Sequence, residues 1–444
     1  RLLIRMSAPA MAGMIVQALY NLTDTVFVGR GVGSLAIAGI AVSFPVQILV
    51  MAFAQMFGIG AASIVSRSLG AGDTQRARRV LGNLFTVVIL ASAGIAILGS
   101  LYIDPLLRLF GATESILPFG QQYLRVILFG TPFFLFAMAT NAVVRAEGNA
   151  RVAMGTMLLA GLLNIGLDPL FIYGFGMGIR GAALATVLAQ ASTVVYLIYY
   201  FLGGRSALRT RLSDLRLDRS IVWESMSVGL GSGLRNAAGS FTAIILNNTL
   251  AVYGGDLAIA AFGVINRMIM FLFLPMFGIV QGMMPIVGFN YGAQQLARAR
   301  HAVRLAMIVT SGMSFAIAAI LVGVPGLLIR VFTNDPALIA MAVPATRIVV
   351  LTFPTVGFQV IAAGMFQALG RPLPATILAL LRQVIVLVPM ILLLPRYLEL
   401  RGVWISFPIA DGLAALVTAL MLIPALRGLR DRSLHRGHVP PHDS

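Results

Sequence analysis

Cysteine and lysine are both absent from the 444 residues. Without Cys there can be no disulfide, no thiolate metal site and no Cys nucleophile. Charge of any sign is scarce, at 11% of residues. A soluble domain averages about 25%, so most of this chain is read as facing lipid rather than water. The four His are His301, in a basic loop, and His435, His438 and His442 near the C-terminal end. None falls within an apolar run, which argues against a histidine-ligated metal inside a membrane. No Ser stands in a nucleophile motif. With Cys and mid-helix His also missing, an intramembrane enzyme is set aside. The ten-residue alternation of a transmembrane barrel is missing as well.

What is abundant is apolar sequence, at 59% of residues. Runs of roughly twenty residues recur, each long enough at about 1.5 Å per residue to cross a hydrocarbon layer of about 30 Å. We expect an all-α membrane protein of twelve transmembrane helices, near 6–30, 35–67, 78–103, 117–145, 150–174, 179–202, 221–253, 257–290, 299–331, 337–368, 373–396 and 401–426. Breaks fall at Gly, Pro and charge clusters such as Gly70-Ala71-Gly72-Asp73, Asn334-Asp335-Pro336 and Gly370-Arg371-Pro372. No basic-then-apolar leader opens the sequence, so the first apolar run is expected to belong to the fold. The net charge of +17 does not signal nucleic acid, because the Arg residues cluster in short loops between apolar runs. One set of helix ends carries Arg67, Arg76, Arg78 and Arg79, five Arg between 205 and 219, and Arg298, Arg300 and Arg304, among others. The opposite ends carry only scattered ones such as Arg30, Arg108 and Arg330. The Arg-rich side is expected to be cytoplasmic, with both termini on it, in a multi-pass inner-membrane protein.

The sequence repeats itself. Leu35-Ala36-Ile37-Ala38 returns as Leu257-Ala258-Ile259-Ala260, and Arg76-Ala77-Arg78 returns as Arg298-Ala299-Arg300. Pro132 returns as Pro354, and Ala146 and Gly148 return as Ala368 and Gly370, each 222 residues on. Arg180-Gly181 returns as Arg401-Gly402 at 221. Six helices per half return the chain to the same side, so the two lobes are related by a pseudo-two-fold axis along the membrane normal. The expected divisions are an N-terminal lobe at 1–204, a solvated linker at 205–220, a C-terminal lobe at 221–427 and a polar cytoplasmic tail at 428–444.

An ionisable group inside a membrane helix is costly and a functional candidate by default. Three acids qualify: Asp24, Asp168 and Asp411. Gln17, Tyr20 and Asp24 share one helix face at i, i+3, i+7 spacing, and Asn164 stands one turn before Asp168. Pro169 frees the carbonyl of Ile165 and marks a bend beside the carboxylate. Helices 1 and 5 run the same way, and their acids fall at similar depth. Thr186 and Tyr123 reach that level from helices 6 and 4. The first lobe thus offers two carboxyls, an amide, a hydroxyl and a phenol at one level, oxygen ligands of a kind that suits H+ or Na+. Two desolvated carboxyls close together titrate as a pair. The second half carries Leu246 and Met390 at the corresponding places, so ion coupling is expected in the first lobe alone. Asp411 either lines a cavity or pairs with Arg235, Arg267 or Arg382. Asn141 is a candidate cavity residue nearer the cytoplasm. Met268, Met270, Met276, Met283 and Met284 on helix 8 suit either promiscuous binding or ordinary packing.

At these residues the chain resembles the multidrug and toxic compound extrusion (MATE) family, in its DinF-like branch. The carriers are Tyr20 to Gly29, the Gly70-Ala71-Gly72-Asp73 loop with its Arg run, Asn164 to Pro169, and Pro285 to Ala293. The resemblance spans essentially the whole chain. It implies an antiporter that exports amphiphilic, often cationic drugs in exchange for H+ or Na+ by rocking of two lobes, with no cofactor beyond the coupling ion. It also implies an ion site at Asp24, Asn164, Asp168 and Thr186, with Gln17, Tyr20 and Tyr123 in the surrounding network. Pro9 falls at the family's proposed bend in helix 1. The expected partners are such drugs and membrane lipids, with no nucleic acid, and the protein is expected to be a monomer. The alternative within transport is a flippase for lipid-linked precursors. That reading would need a strongly basic cavity, whereas only Arg235, Arg267 and Arg382 lie within second-lobe helices.

Overall fold

The computed structural model describes residues 1–436, and among them there is no β-strand. The first half folds as α1 (Leu2–Gly31), α2 (Ser34–Gly70), α3 (Thr74–Leu101), α4 (Leu117–Ala146), α5 (Ala150–Gly174) and α6 (Gly178–Leu202). The second half begins with a 74-residue helical stretch, Arg219–Gly292, interrupted at Gly255, where φ is +64°. That break divides it into α7 (219–254) and α8 (256–292). Then follow α9 (Leu296–Gly323), a bent α10 (Pro336–Val349 and Phe353–Ala368, 47° apart), α11 (Pro372–Leu393) and α12 (400–436). Counted this way, the described residues form twelve apolar helices, each long enough to span a bilayer. Their outer faces carry large apolar side chains such as Phe129 and Leu162, 74% and 67% exposed. Such faces belong against lipid rather than water.

The internal repeat reappears in the backbone. Left-handed turns fall at Gly33 and Gly255, Gly72 and Gln294, and Gly148 and Gly370, each pair 222 residues apart; Gly178 and Glu399 are 221 apart. Short helices Ile103–Leu109 and Pro325–Arg330 occupy matching places on the face opposite the arginine-rich loops. The halves differ at their shared proline. α4 continues through Pro132, whereas α10 breaks across 350–355 around Pro354. The expected single helix at 337–368 is therefore two. Proline removes a ladder donor and crowds the carbonyl four residues back, and only α10 resolves the conflict by breaking. α1 is unbroken through Pro9, so that proline produces no interruption in this conformation. The expected tail at 428–444 is helical as far as Arg436, and residues 437–444 lie outside the described part.

The halves meet at the arginine-rich end. A Cβ on Gly70 would collide with the carbonyl of Phe289, and one on Gly292 with the carbonyl of Arg67. Residue 289 is the repeat mate of 67, and 292 that of 70, so the contact is self-complementary. Gly60 abuts Ser225, Gly229 abuts Met56, and Gly282 abuts Ser7, all without room for a side chain. Polar ties reinforce this seal. Ser63 Oγ donates across the lobes to the Gln367 carbonyl at 2.5 Å, and within the second lobe Gln367 Nε2 is held by donating to Ser232 Oγ at 2.7 Å. Glu224 at the start of α7 accepts from Arg67 at 2.9 Å and from Arg76 at 2.6 Å.

The segment 205–220 is docked rather than solvated. Leu208 is fully buried, and Thr86 Oγ1 donates to the Leu215 carbonyl at 2.7 Å. Asn83 donates to the Arg216 carbonyl at 3.1 Å and accepts from the Asp218 N–H at 2.6 Å. Glu147 accepts from Ser206 Oγ at 2.8 Å and from Tyr200 at 3.0 Å. The charge count pointed to a solvated loop; the short polar side chains of α3 instead cap its carbonyls.

Gly70→Ala and Gly292→Ala should each lower the stability of this arrangement by about 1–3 kcal/mol, the usual cost of overpacking. Gly94→Ala on α3, where a Cβ meets open space, should leave the unfolding transition in detergent unchanged or raised. Equal behaviour of the three variants would remove the glycine contacts from the seal.

Candidate functional site

Glycine packing sets α1 against α5. Gly161 lets Val16 and Tyr20 approach, Gly13 receives Met157, and Gly31 receives Ile172 and Tyr173. Beyond Pro169 the helix widens into a π-helical turn at Leu170–Gly174. Tyr173 Oη reaches back from this turn to the Phe27 carbonyl at 2.9 Å. These contacts hold the acidic turn of α1 beside that of α5.

The carboxyls of Asp24 and Asp168 lie close enough to act on each other electrostatically. Asn164 Nδ2 donates to Asp168 Oδ1 and to Thr186 Oγ1, both at 3.3 Å. Asp168 and Asn164 are buried, at 0% and 1% exposure. Asp24 Oδ1, Asn164 Oδ1 and Asp168 Oδ2 are buried oxygens without a protein donor. An unsatisfied buried acceptor is costly, and here three belong to neighbouring residues. Such an oxygen-only set fits a proton shared between the carboxyls or a small hard cation. Tyr20, beside Gln17, and the buried Tyr123 lie within electrostatic reach of both acids. The residues expected at one level thus gather from α1, α4, α5 and α6. Among the described residues no group of three or more His, Cys, Asp or Glu is arranged to hold a metal ion.

Asn141 is not part of this group. It lies nearer the arginine-rich end, donating to the Ala153 carbonyl at 2.9 Å and Thr156 Oγ1 at 2.6 Å, and it accepts from Arg145. Asp411 is buried and bound by Arg382, which settles its partner among the three arginines considered.

A cavity of about 330 Å³ extends from Gln17 and Tyr20 to Asn141 and Arg145. Its volume is at the small end of the range for drug-sized ligands. Helices of the first lobe form most of its wall, and Met270 and Gln281 of α8 complete it. Met14, Met51, Met138 and Met157 line it. Of the α8 methionines, Met270 reaches it, while Met268, Met276 and Met283 are buried in packing. Sequence reading missed Arg145, Thr156, Gln55, Gln190 and Gln281 on this wall. In sequence Arg145 reads as one more arginine of the Arg-rich helix ends, and its i+4 spacing from Asn141 is the available signal.

A two-lobed, twelve-helix membrane protein with paired carboxyls in one lobe, beside a methionine-lined cavity, defines the class. A family model described as MatE matches residues 9–170 and 232–392, one segment in each half. The chain is 30% identical over 433 residues to the multidrug export protein MepA of Staphylococcus aureus (strain MRSA252), covering 97% of this chain and 94% of that one. It also resembles the solved structure of the MATE multidrug transporter DinF-BH, at 43% identity and a TM-score of 0.89, over 95% of each chain. An outward-facing multidrug resistance MATE family transporter superposes with a TM-score of 0.91 at 29% identity, over 97% of this chain and 96% of that one. The chain belongs to the MatE family.

Arg382→Met should destabilise the protein by about 2–3 kcal/mol, because it leaves the Asp411 carboxylate buried and unpaired. The low end of the range applies because the arginine is 37% exposed. Adding Asp411→Leu should recover most of that loss. Unfolding in detergent of both variants checks this; a double variant no better than the single one would deny the pairing its structural role.

Proposed function

We propose that this protein is a secondary active multidrug efflux antiporter. It exports amphiphilic, often cationic compounds in exchange for H+ or Na+ as the lobes 1–204 and 221–427 rock about the linker. The observation that carries the reading is the Asp24–Asp168 carboxyl pair, with Asn164 and Thr186, one helical turn beyond a cavity that contains Tyr20 and Gln17. The names of its relatives, a multidrug export protein and MATE multidrug transporters, support the same class. The role is transport rather than catalysis, and it needs no cofactor. The arginine-rich face, closed here, is the cytoplasmic one by the positive-inside rule. Both termini lie on that side of the inner membrane, and the cavity would open outward.

Exchange follows from competition. With the carboxyls ionised, the site attracts a cationic substrate. An incoming proton or Na+ neutralises the pair and removes that attraction. A ligand moves a two-state protein only through unequal affinity for the two states, and loading or emptying this pair supplies the inequality. Pro169, with its π-helical turn, is the element able to change geometry beside the site, and Pro9, about four turns before Asp24, is the bend that the family resemblance implies on α1.

In proteoliposomes, export of a fluorescent cationic dye should follow an imposed H+ or Na+ gradient. Asp24→Asn and Asp168→Asn should each reduce it to the level of protein-free vesicles while folding is kept. The gradient that works identifies the ion. Normal gradient-driven export by Asp24→Asn would remove the pair from the mechanism. No dye movement under either gradient, with folded protein, would sink the antiporter and make lipid-linked precursors the next substrates to assay.

A further inference from the structure

The cavity has a charged floor that the carboxyl pair does not explain. Arg145 is in the last turn of α4, between the main cavity and a chamber of about 20 Å³ beneath it, next to the inter-lobe seal. Its guanidinium contacts the Asn141 side-chain oxygen, and Asn141 is anchored in turn to Thr156 and Ala153. Among the described residues no carboxylate lies within ion-pair distance of Arg145. The nearest acid in sequence, Glu147, is engaged by Ser206, Tyr200 and the Ala207 N–H. Glu224 is held by Arg67 and Arg76.

The internal repeat tests whether this charge serves packing. In the second lobe, 222 residues on, Asn141 becomes Ala363, Arg145 becomes Gln367 and Thr156 becomes Leu378. Gln367 is a satisfied neutral amide, donating to Ser232 at 2.7 Å. A helix end at this place in the fold therefore does not need a cation. The positioned guanidinium and its two supports are peculiar to the lobe that holds the cavity. An uncompensated, oriented guanidinium in a low-dielectric wall recognises an anion, best a planar carboxylate.

We propose that Arg145 is a specificity-determining residue, and that the cavity takes amphiphiles bearing a carboxylate or similar anionic group. The anionic group pairs with Arg145, and the apolar body lies along Met14, Met51, Met138 and Met157. This rests on the reading of the protein as a drug exporter. It extends that reading from cations to zwitterions, whose two charges meet Arg145 at one end of the cavity and the acidic turn of α1 at the other.

Two dyes differing at one group make the test. Rhodamine 19 carries a free carboxylate, and rhodamine 6G is its ethyl ester. Equilibrium binding to the full chain in detergent, read by fluorescence anisotropy, should show that Arg145→Gln weakens rhodamine 19 by about tenfold or more, as expected for losing a charged hydrogen bond. Rhodamine 6G should change by no more than about twofold. If Arg145→Gln does not fold, Arg145→Lys decides. A retained preference for the carboxylate dye supports the proposal, and equal binding of the two dyes overturns it. Equal losses for both dyes in Arg145→Gln, or an unchanged affinity for rhodamine 19, would also overturn it, as would failure of rhodamine 19 to bind the wild type. Charge-dependent binding without export of either dye in proteoliposomes would leave this assignment standing and bring down the exporter reading instead.

Discussion

Backbone contact between helices of opposite lobes is the constraint on which the arrangement depends. Lipid tails are as apolar as the side chains that meet them, so burial of apolar surface does little to hold two membrane lobes together. What remains is close packing and a few hydrogen bonds. Gly70 and Gly292 lie against each other's helices at residues 289 and 67, so the seal is a two-fold contact made within one chain. It fixes the positions of α2 and α8 at the arginine-rich end. Because α8 contributes Met270 and Gln281 to the cavity wall, the same contact closes the cavity floor. Sealing one end and shaping the binding space are thus a single structural event.

The two halves share a scaffold but not a chemistry. Backbone turns repeat at four places, including two where the second half uses Gln294 and Glu399 in a left-handed conformation that the first half gives to glycine. Such non-glycine positions cost on the order of 1–2 kcal/mol each, so the turn geometry persists where the residue type does not favour it. The polar interior shows the opposite behaviour. Asp24, Asn164 and Asp168 have Leu246, Val386 and Met390 as mates. Asp411 has no counterpart in the first-lobe group and is neutralised by Arg382. Among its described residues the second lobe has one internal ion pair. The first lobe concentrates the unpaired polar atoms, and a buried polar atom left unpaired is where binding energy can be gained.

Much of this was legible in the sequence, for identifiable reasons. Helix number and repeat follow from apolar length and from glycine and arginine positions, which the backbone itself demands. The acidic group was legible because Asp24 and Asp168 are conspicuous in apolar surroundings and their helices run the same way. Arg145 was hidden because an arginine at a helix end serves topology as readily as recognition; only the position of its guanidinium above the seal separates the two. The break in α10 was hidden too. Pro132 and Pro354 are the same residue in matching places, and nothing local distinguishes the helix that continues from the helix that parts. The docking of 205–220 depends on Asn83 and Thr86 of α3, more than a hundred residues away.

Under the proposed exchange the seal must also part, and its composition suits that. Arg76 is half exposed, so its ion pair with Glu224 contributes at most about 1 kcal/mol. The Ser63–Gln367 hydrogen bond contributes about 1 kcal/mol. Glycine contacts add dispersion that vanishes within a small separation, because attraction falls steeply with distance. A seal of this kind is stiff while closed and inexpensive to open. A change of affinity worth a few kcal/mol at the carboxyl pair is then comparable to the cost of parting the lobes. An interface tied by many buried ion pairs and hydrogen bonds would not permit this, since loading one proton or one Na+ could not offset it. Inter-lobe contacts that act only at close range would therefore allow a site in one lobe to govern the position of both.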